Sequence, residues 1–301
     1  MGIHPRARWL LLLGRSLHPG HLTPIPYRKG AIRDRSTIRA AAPRRYRAAP
    51  VPNLGFILED AARVLECDRS KISRIETGQR GIRPKELREL LAEYGVSEQE
   101  QSTLAAIAQA GSRGAWWRHC GDAIPEPYRE YLVMEQAASD LFIYDPQHIP
   151  DLLQTPEYTR ASVTGSPPFR ADPGLALSRQ QVLREQRSRL TALIGEAALR
   201  RPNGDADIMR NQLTSLTVPD KRAMVQVLPS TCGLPSSGPA TILRFAEIPD
   251  LGAVYLPGLS GGICLVGQQD VASYTRAFEY LRASALSPAA SARLICEIAR
   301  G

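Results

Sequence analysis

The sequence predicts a mixed fold, a small all-α unit followed by an α+β domain. Two observations predict it. Residues 55–111 carry apolar side chains at three- and four-residue spacing and show no strand-like alternation. Beyond residue 140, short β-type runs alternate with amphipathic helical runs. A chain of 301 residues, 43% of them hydrophobic, is long enough for two domains with a core each.

Residues 1–54 come first and read differently. "HPGHLTPIPYRKG" and "AAAPRRYRAAPVP" repeat proline, which blocks long helices and strands, and no apolar period runs through them. A short helix over Ala31–Ala42 would turn Ile32 and Ile38 inward, but disorder is the expectation for this basic, Pro/Arg-rich segment. Its longest aliphatic run, Leu10–Leu13 behind Trp9, is too short for a membrane span or a signal-peptide core. A soluble, cytoplasmic protein with no membrane partner is expected.

From Gly55 the texture becomes helical. "ILEDAARVLE" puts Leu58, Ala61, Ala62 and Leu65 on one face. After a break at Glu66–Asp68, "RSKISRIE" turns Ile72 and Ile75 inward. Pro84 opens "PKELRELLAEYG", with Leu87, Leu90 and Leu91 inward and Gly95 as a stop. Ser97 stands three residues before Glu100 in a capping-box pattern. Residues 55–113 form this first domain, and "RGAWWRHCGDAIPEP" marks the boundary, its paired tryptophans seating the next domain on it.

Residues 114–301 form the second domain. Strands are predicted at 141–145, 190–195, 223–229, 240–245, 253–257 and 263–267. Helices are predicted over Pro127–Ser139, Ile149–Val163, Pro173–Arg189, Ala206–Leu216, Asp270–Ala285 and Pro288–Arg300.

Charge points to nucleic acid only locally. The net charge is +8, but residues 1–50 hold eleven Lys/Arg and one acid and carry +10, which leaves −2 for the rest. Between residues 69 and 88, seven Lys/Arg face only Glu76 and Glu86, for a local charge of +5. The basic residues sit on a helix-turn-helix pattern. Ala62 is the small residue where two helices would cross, and Glu66 stands where a left-handed backbone costs a non-glycine residue about 1–2 kcal/mol. Asp68 is placed to cap the next helix with its side chain. Arg69, Ser70, Lys71, Ser73 and Arg74 then point outward, with Arg69, Ser70 and Arg74 best placed to read base edges in double-stranded DNA. Thr77, Gln79, Arg80 and Arg83 follow the helix and suit phosphates.

"LEDAARVLECDRSKISRIETGQRGIRPKELRELLAEYGV" resembles the Xre-type, lambda-repressor-like helix-turn-helix of actinobacterial transcriptional regulators. The later chain is similar to the domain of unknown function that follows this module in those proteins. "IPDLLQTPEYTRA", "GEAALRRP", "VQVLP", "ILRF", "GLSGG" and "RAFEYLRASALSP" fall in the expected order. The resemblance spans roughly residues 55–300. It implies a cytoplasmic regulator, recognition-helix contacts at Arg69, Ser70, Lys71, Ser73 and Arg74, and a C-terminal domain that senses an effector, a small molecule or a protein partner. A homodimer on DNA is the expected assembly. The resemblance departs upstream of Gly55, where the family's first helix, similar to "LGxxLRxLRxxAGLT", has no counterpart in "AAAPRRYRAAPVPNL". A shifted reading frame or wrongly chosen start over GC-rich DNA would account for residues 1–54; a genuine lineage-specific segment is the rival, and translating the neighbouring frames separates them. An altered N-terminus also leaves open a regulator that acts through protein contacts and has lost DNA binding.

Enzyme chemistry finds little support. Gly258-Leu259-Ser260-Gly261-Gly262 fits the G-x-S-x-G nucleophile elbow, but a β-type run follows it and no histidine occurs after His148. A hairpin turn is expected there. The five cysteines, Cys67, Cys120, Cys232, Cys264 and Cys296, are far apart and lack a CxxC pair, and no H-x-x-x-H pairing exists, so reduced thiols and no metal are expected. No phosphate-binding glycine motif suggests a cofactor. Glu196 with Arg200 and Arg201 reads as a salt-bridged surface turn rather than an anion site.

Overall fold

The computed structural model describes residues 59, 61–76, 82–93, 98, 101–102, 104–105, 124–162, 172–218, 221–232, 238–246 and 251–300. The readings made for residues 1–54, for Thr77, Gln79 and Arg80, for the Gly95 stop, for the Ser97–Glu100 box and for the paired tryptophans lie outside them.

In the N-terminal unit, residues 61–64 are helical and lead into α1 (Arg69–Glu76) and α2 (Pro84–Glu93). Residues 98, 101–102 and 104–105 are also helical. Ala61, Ala62, Ile72, Leu87, Leu90, Leu91 and Leu104 are buried in one cluster, so the inward faces expected from spacing are the inward faces found. Ile75 is also buried.

The turn before α1 closes as a Schellman motif. Glu66 N–H donates to Arg63 C=O at 3.2 Å, and Cys67 N–H donates to Ala62 C=O at 2.9 Å. Glu66 sits at φ 45°, the left-handed region that favours glycine. Pro84 begins α2 in the one place where a missing N–H costs nothing. Glu86, three residues after Arg83, reaches back to accept from Arg83 N–H at 3.1 Å, half of a capping box.

The C-terminal domain is built on a six-stranded mixed sheet in the order β3-β2-β1-β4-β5-β6. Its helix α3 (Glu126–Ala137) precedes β1 (Asp140–Asp145). A 3-10 turn (Asp151–Leu153), α4 (Pro156–Ser162) and α5 (Pro173–Gln186) carry the chain to β2 (Arg189–Gly195). Helices α6 (Glu196–Arg200) and α7 (Ala206–Thr217) carry it to β3 (Ala223–Leu228). These three strands run parallel. The chain then returns to the far side of β1, where β4 (Ala240–Arg244), β5 (Gly252–Leu256) and β6 (Ile263–Leu265) form an antiparallel meander. Helices α8 (Gln268–Ser284) and α9 (Pro288–Arg300) complete the domain.

Side chains alternate across the sheet with the strand period of two. Leu141, Ile143, Leu243, Ala253 and Tyr255 join the α3 cluster, while Tyr144, Leu193, Ile242 and Val254 pack with Val271, Phe278 and Leu281 of α8. A third cluster packs Ala192, Ile194, Val225 and Val227 against α7 and α9.

Six strands occur where six are predicted, each within two residues at its ends. Two helical readings differ. The single helix expected over Ile149–Val163 is broken, because Gln154 is extended and Pro156 cannot continue the hydrogen-bond ladder. Thr155 starts a new helix instead, its Oγ1 accepting from Tyr158 N–H at 3.3 Å. Residues Glu196–Arg200, read as a turn, form a short helix.

Candidate functional site

The exposed face of α1 is the first site. Ile72 and Ile75 are each 2% exposed, which fixes the opposite face outward. Arg69, Ser70, Ser73 and Arg74 occupy that outer face and are exposed. Arg69 Nη1 lies 2.8 Å from Glu59 Oε1, in an exposed pair that counter-charges such as phosphate can displace at little cost. Arg74 folds back along its own helix, Nε donating to Ser70 C=O at 3.2 Å. Arg83 is exposed just before α2.

Lys71 corrects the sequence reading. It was expected to point outward with its neighbours, but its Nζ lies 2.8 Å from Glu86 Oε1, with side chains only 18% and 15% exposed. The ammonium bridges α1 to α2 and braces the recognition helix from behind. Burial pushes the Glu86 carboxyl up, but Lys71 and the Arg83 N–H outweigh it and hold the group below its ordinary range. Asp68 also differs. Its main-chain carbonyl accepts from Lys71 N–H at 2.9 Å, and no bond of its carboxylate occurs among the described residues, so the expected side-chain cap is not formed there.

The second site is a buried ionic network that sequence reasoning missed. Arg179 on α5 is 5% exposed. Its Nε and Nη2 grip Glu135 of α3 at 2.8 and 2.7 Å, a bidentate pair. Nη1 donates to Tyr128 Oη at 2.9 Å and to Asp151 Oδ2 at 3.0 Å, and Nη2 to Tyr131 Oη at 3.3 Å. All five N–H donors of the guanidinium are thereby used. Tyr131 Oη donates to Glu135 Oε1, and its ring stacks on Tyr255 at 4.0 Å. Burial disfavours the Arg179 charge, but Glu135 and the two phenols hold its pKa well above the ordinary value. Burial and the Glu135 charge push Tyr131 far up, so it stays a neutral donor.

The signal for this network was present in "PYREYLVMEQ". Tyr128, Tyr131 and Glu135 share one helix face at i, i+3, i+7. Its partner Arg179 lies 44 residues away from Glu135, and only the fold brings them together.

The network borders a cavity of about 630 Å³ at the C-terminal end of β1. Gln180 Nε2 anchors the cavity's 3-10 turn by donating to Asp151 and Gln154 carbonyls at 2.7 and 2.9 Å. Gln212 of α7 holds the same loop from the other side, accepting from Thr155 N–H at 2.7 Å.

The G-x-S-x-G segment is a β5–β6 hairpin. Gly261 and Gly262 have φ of 106° and 88°, and a Cβ on Gly262 would come within 2.4 Å of Leu256 O. Glycines there serve the turn, and the segment feeds a strand, not the helix a nucleophile elbow requires. Glu196 accepts from Arg200 Nε at 2.8 Å and from Ser230 N–H at 2.9 Å, as a salt-bridged surface element. Cys67, Cys232, Cys264 and Cys296 are free, and burial pushes the Cys264 thiol up to about 12. No group of three or more potential metal ligands occurs among the described residues, and none of their helices is long and apolar enough to cross a membrane.

A basic-faced helix behind a tight left-handed turn, followed by a mixed sheet, is the arrangement of a helix-turn-helix unit with a C-terminal α+β domain, and a helix-turn-helix points to DNA binding. A helix-turn-helix domain model matches residues 37–104. That match takes in residues 37–54, which the resemblance read from the sequence had left out. The Domain of unknown function (DUF5753) matches residues 128–297, more than half of the chain, and the protein belongs to that family. No curated protein and no solved structure matches the chain.

Proposed function

We propose that this protein is a sequence-specific transcriptional regulator of the Xre type, actinobacterial and cytoplasmic, that reads double-stranded DNA with α1. The carrying observation is the outer face of α1, where Arg69, Ser70, Ser73 and Arg74 stand exposed over the buried Ile72 and Ile75. Arg69 reads a base edge, as arginine does bidentately at guanine, and Ser70 and Arg74 assist. Thr77, Gln79, Arg80 and Arg83 hold phosphates and set the register. Lys71 positions the helix through Glu86. The protein binds as a homodimer with half-sites about one duplex turn, ~34 Å, apart. The C-terminal domain regulates binding in response to an effector and performs no catalysis.

Gel shift of the protein with DNA from upstream of its own gene tests this. A discrete shifted band that resists excess random DNA is expected. A shift that random DNA abolishes equally would contradict sequence-specific reading. A net charge of −2 outside residues 1–50 favours the second reading, a regulator acting through protein contacts alone, and that reading expects no shift.

A further inference from the structure

A second cavity, of about 610 Å³, is a groove between the crossover helices α5 and α7. Its floor is the start of the parallel strands, where Leu141, Leu190 and Ala223 stand in one row across β1, β2 and β3. The two helices do not close over that row. Leu153, Leu177, Leu183 and Leu190 line the groove and are only half-buried, and Val218 at its lip is 82% exposed. Apolar surface left wet in this way gains free energy when an aliphatic group covers it.

The groove is preformed. Its wall is the 3-10 turn and the residues after it, clamped from both helices by buried glutamines. Gln180 of α5 donates to the Asp151 and Gln154 carbonyls. Gln212 of α7 accepts from Thr155 N–H at 2.7 Å and donates to Leu153 C=O at 2.9 Å. A ligand therefore meets a fixed shape and has little to order on entry.

The charge at the mouth selects the kind of ligand. Arg184 and Arg222 belong to the lining, and no Asp or Glu does among the described residues. Arg222 Nη1 donates to Arg184 C=O at 3.4 Å, which sets the two guanidinium-bearing residues side by side. Arg184 is exposed, and its guanidinium makes no ion pair among the described residues; its Nη2 reaches Gln180 Oε1 only at 3.5 Å. Residues 184–189 and 221–223 together hold five Lys/Arg and one acid, Glu185, which accepts from Gln181. Asp140 nearby is taken by Arg189. The carbonyl ends of α5 and α7 each bring roughly half a unit of negative charge, which the five cations exceed. The field at the mouth favours an anion, and arginine suits a carboxylate in particular.

We propose that this groove binds an aliphatic monocarboxylate, its chain along the leucines over β2 and its carboxylate at Arg184 and Arg222.

Three probes test this: decanoate, hexanoate and decyltrimethylammonium, each below its micelle concentration. Each is titrated by calorimetry into the full chain without DNA, so the outcome is independent of DNA recognition. Decanoate is expected to bind with a submillimolar Kd. Hexanoate, four methylenes shorter, should bind at least tenfold more weakly, and the cationic probe likewise. Arg184→Gln should weaken decanoate about fivefold. Val218→Glu, which adds a carboxylate at the lip, should weaken decanoate and strengthen the cationic probe. Both positions are exposed, so melting temperatures should not change. Absence of decanoate binding would overturn the proposal, as would equal binding of hexanoate or decanoate binding untouched by both substitutions. Equal binding of the cationic probe would also overturn it, marking an apolar face that another protein surface covers.

Discussion

Lys71 Nζ lies 2.8 Å from Glu86 Oε1, so a basic residue of α1 is held against α2 rather than pointing outward. Glu86 also accepts from Arg83 N–H, which makes its carboxylate the joint between α1 and α2. Replacing Lys71 with Met should cost about 1 kcal/mol, between the value of an exposed pair and that of a buried one. Because Glu86 is held below its ordinary pKa, its contribution is present above the unfolded carboxylate value of about 4.3 and is lost as pH falls through the lower folded value. Denaturant melts of wild type and Lys71→Met should therefore differ at pH 7 and converge in acid. A gap that is independent of pH would show that the pair is not its source.

Glu66 carries a left-handed backbone at φ 45° without the benefit of glycine. Glu66→Gly should stabilise the N-terminal unit by about 1 kcal/mol, which thermal melting reads directly. A lower melting temperature would mean that the Glu66 side chain contributes more than its backbone costs.

Arg179 and Glu135 form a buried bidentate pair. Arg179→Ala should cost about 3–5 kcal/mol, since it strands Glu135 as a buried charge and takes a partner from the half-buried Asp151. Arg179→Lys should recover little of this, because an ammonium cannot reproduce the five-donor fork. Full recovery by lysine would reduce the network to a point-charge effect.

The sequence made most of this architecture legible and missed the centre of the C-terminal domain. Strand alternation at Leu141, Ile143 and Leu243, and the leucine spacing of α2, are local patterns, so they could be read one segment at a time. The left-handed turn at Glu66 and the hairpin at Gly258–Gly262 were legible from local geometry as well. Lys71 was misplaced because its partner lies across a second helix: a basic residue on a basic helix looks outward until Glu86 is seen beside it. Arg179, Glu135 and Asp151 come from three separate elements, and no spacing rule joins them.

Roles on the DNA face should separate by their effect on specificity. Arg69→Ala should relax preference at one base position, at a cost of about 1–3 kcal/mol on the best site. Arg80→Ala should weaken all sequences alike and lower the salt slope by about one. Fluorescence anisotropy across a salt series, on specific and random duplexes, measures both. Equal losses on both duplexes for the two variants would remove this division of roles.

The most direct test of the account is selection of bound DNA from a random duplex pool by the full chain at fixed, moderate salt. The account predicts enrichment of one motif made of two related half-sites about a helical turn apart, with Arg69→Ala blurring a single position in each half. A pool that stays random after repeated rounds, while the protein remains folded, would contradict it.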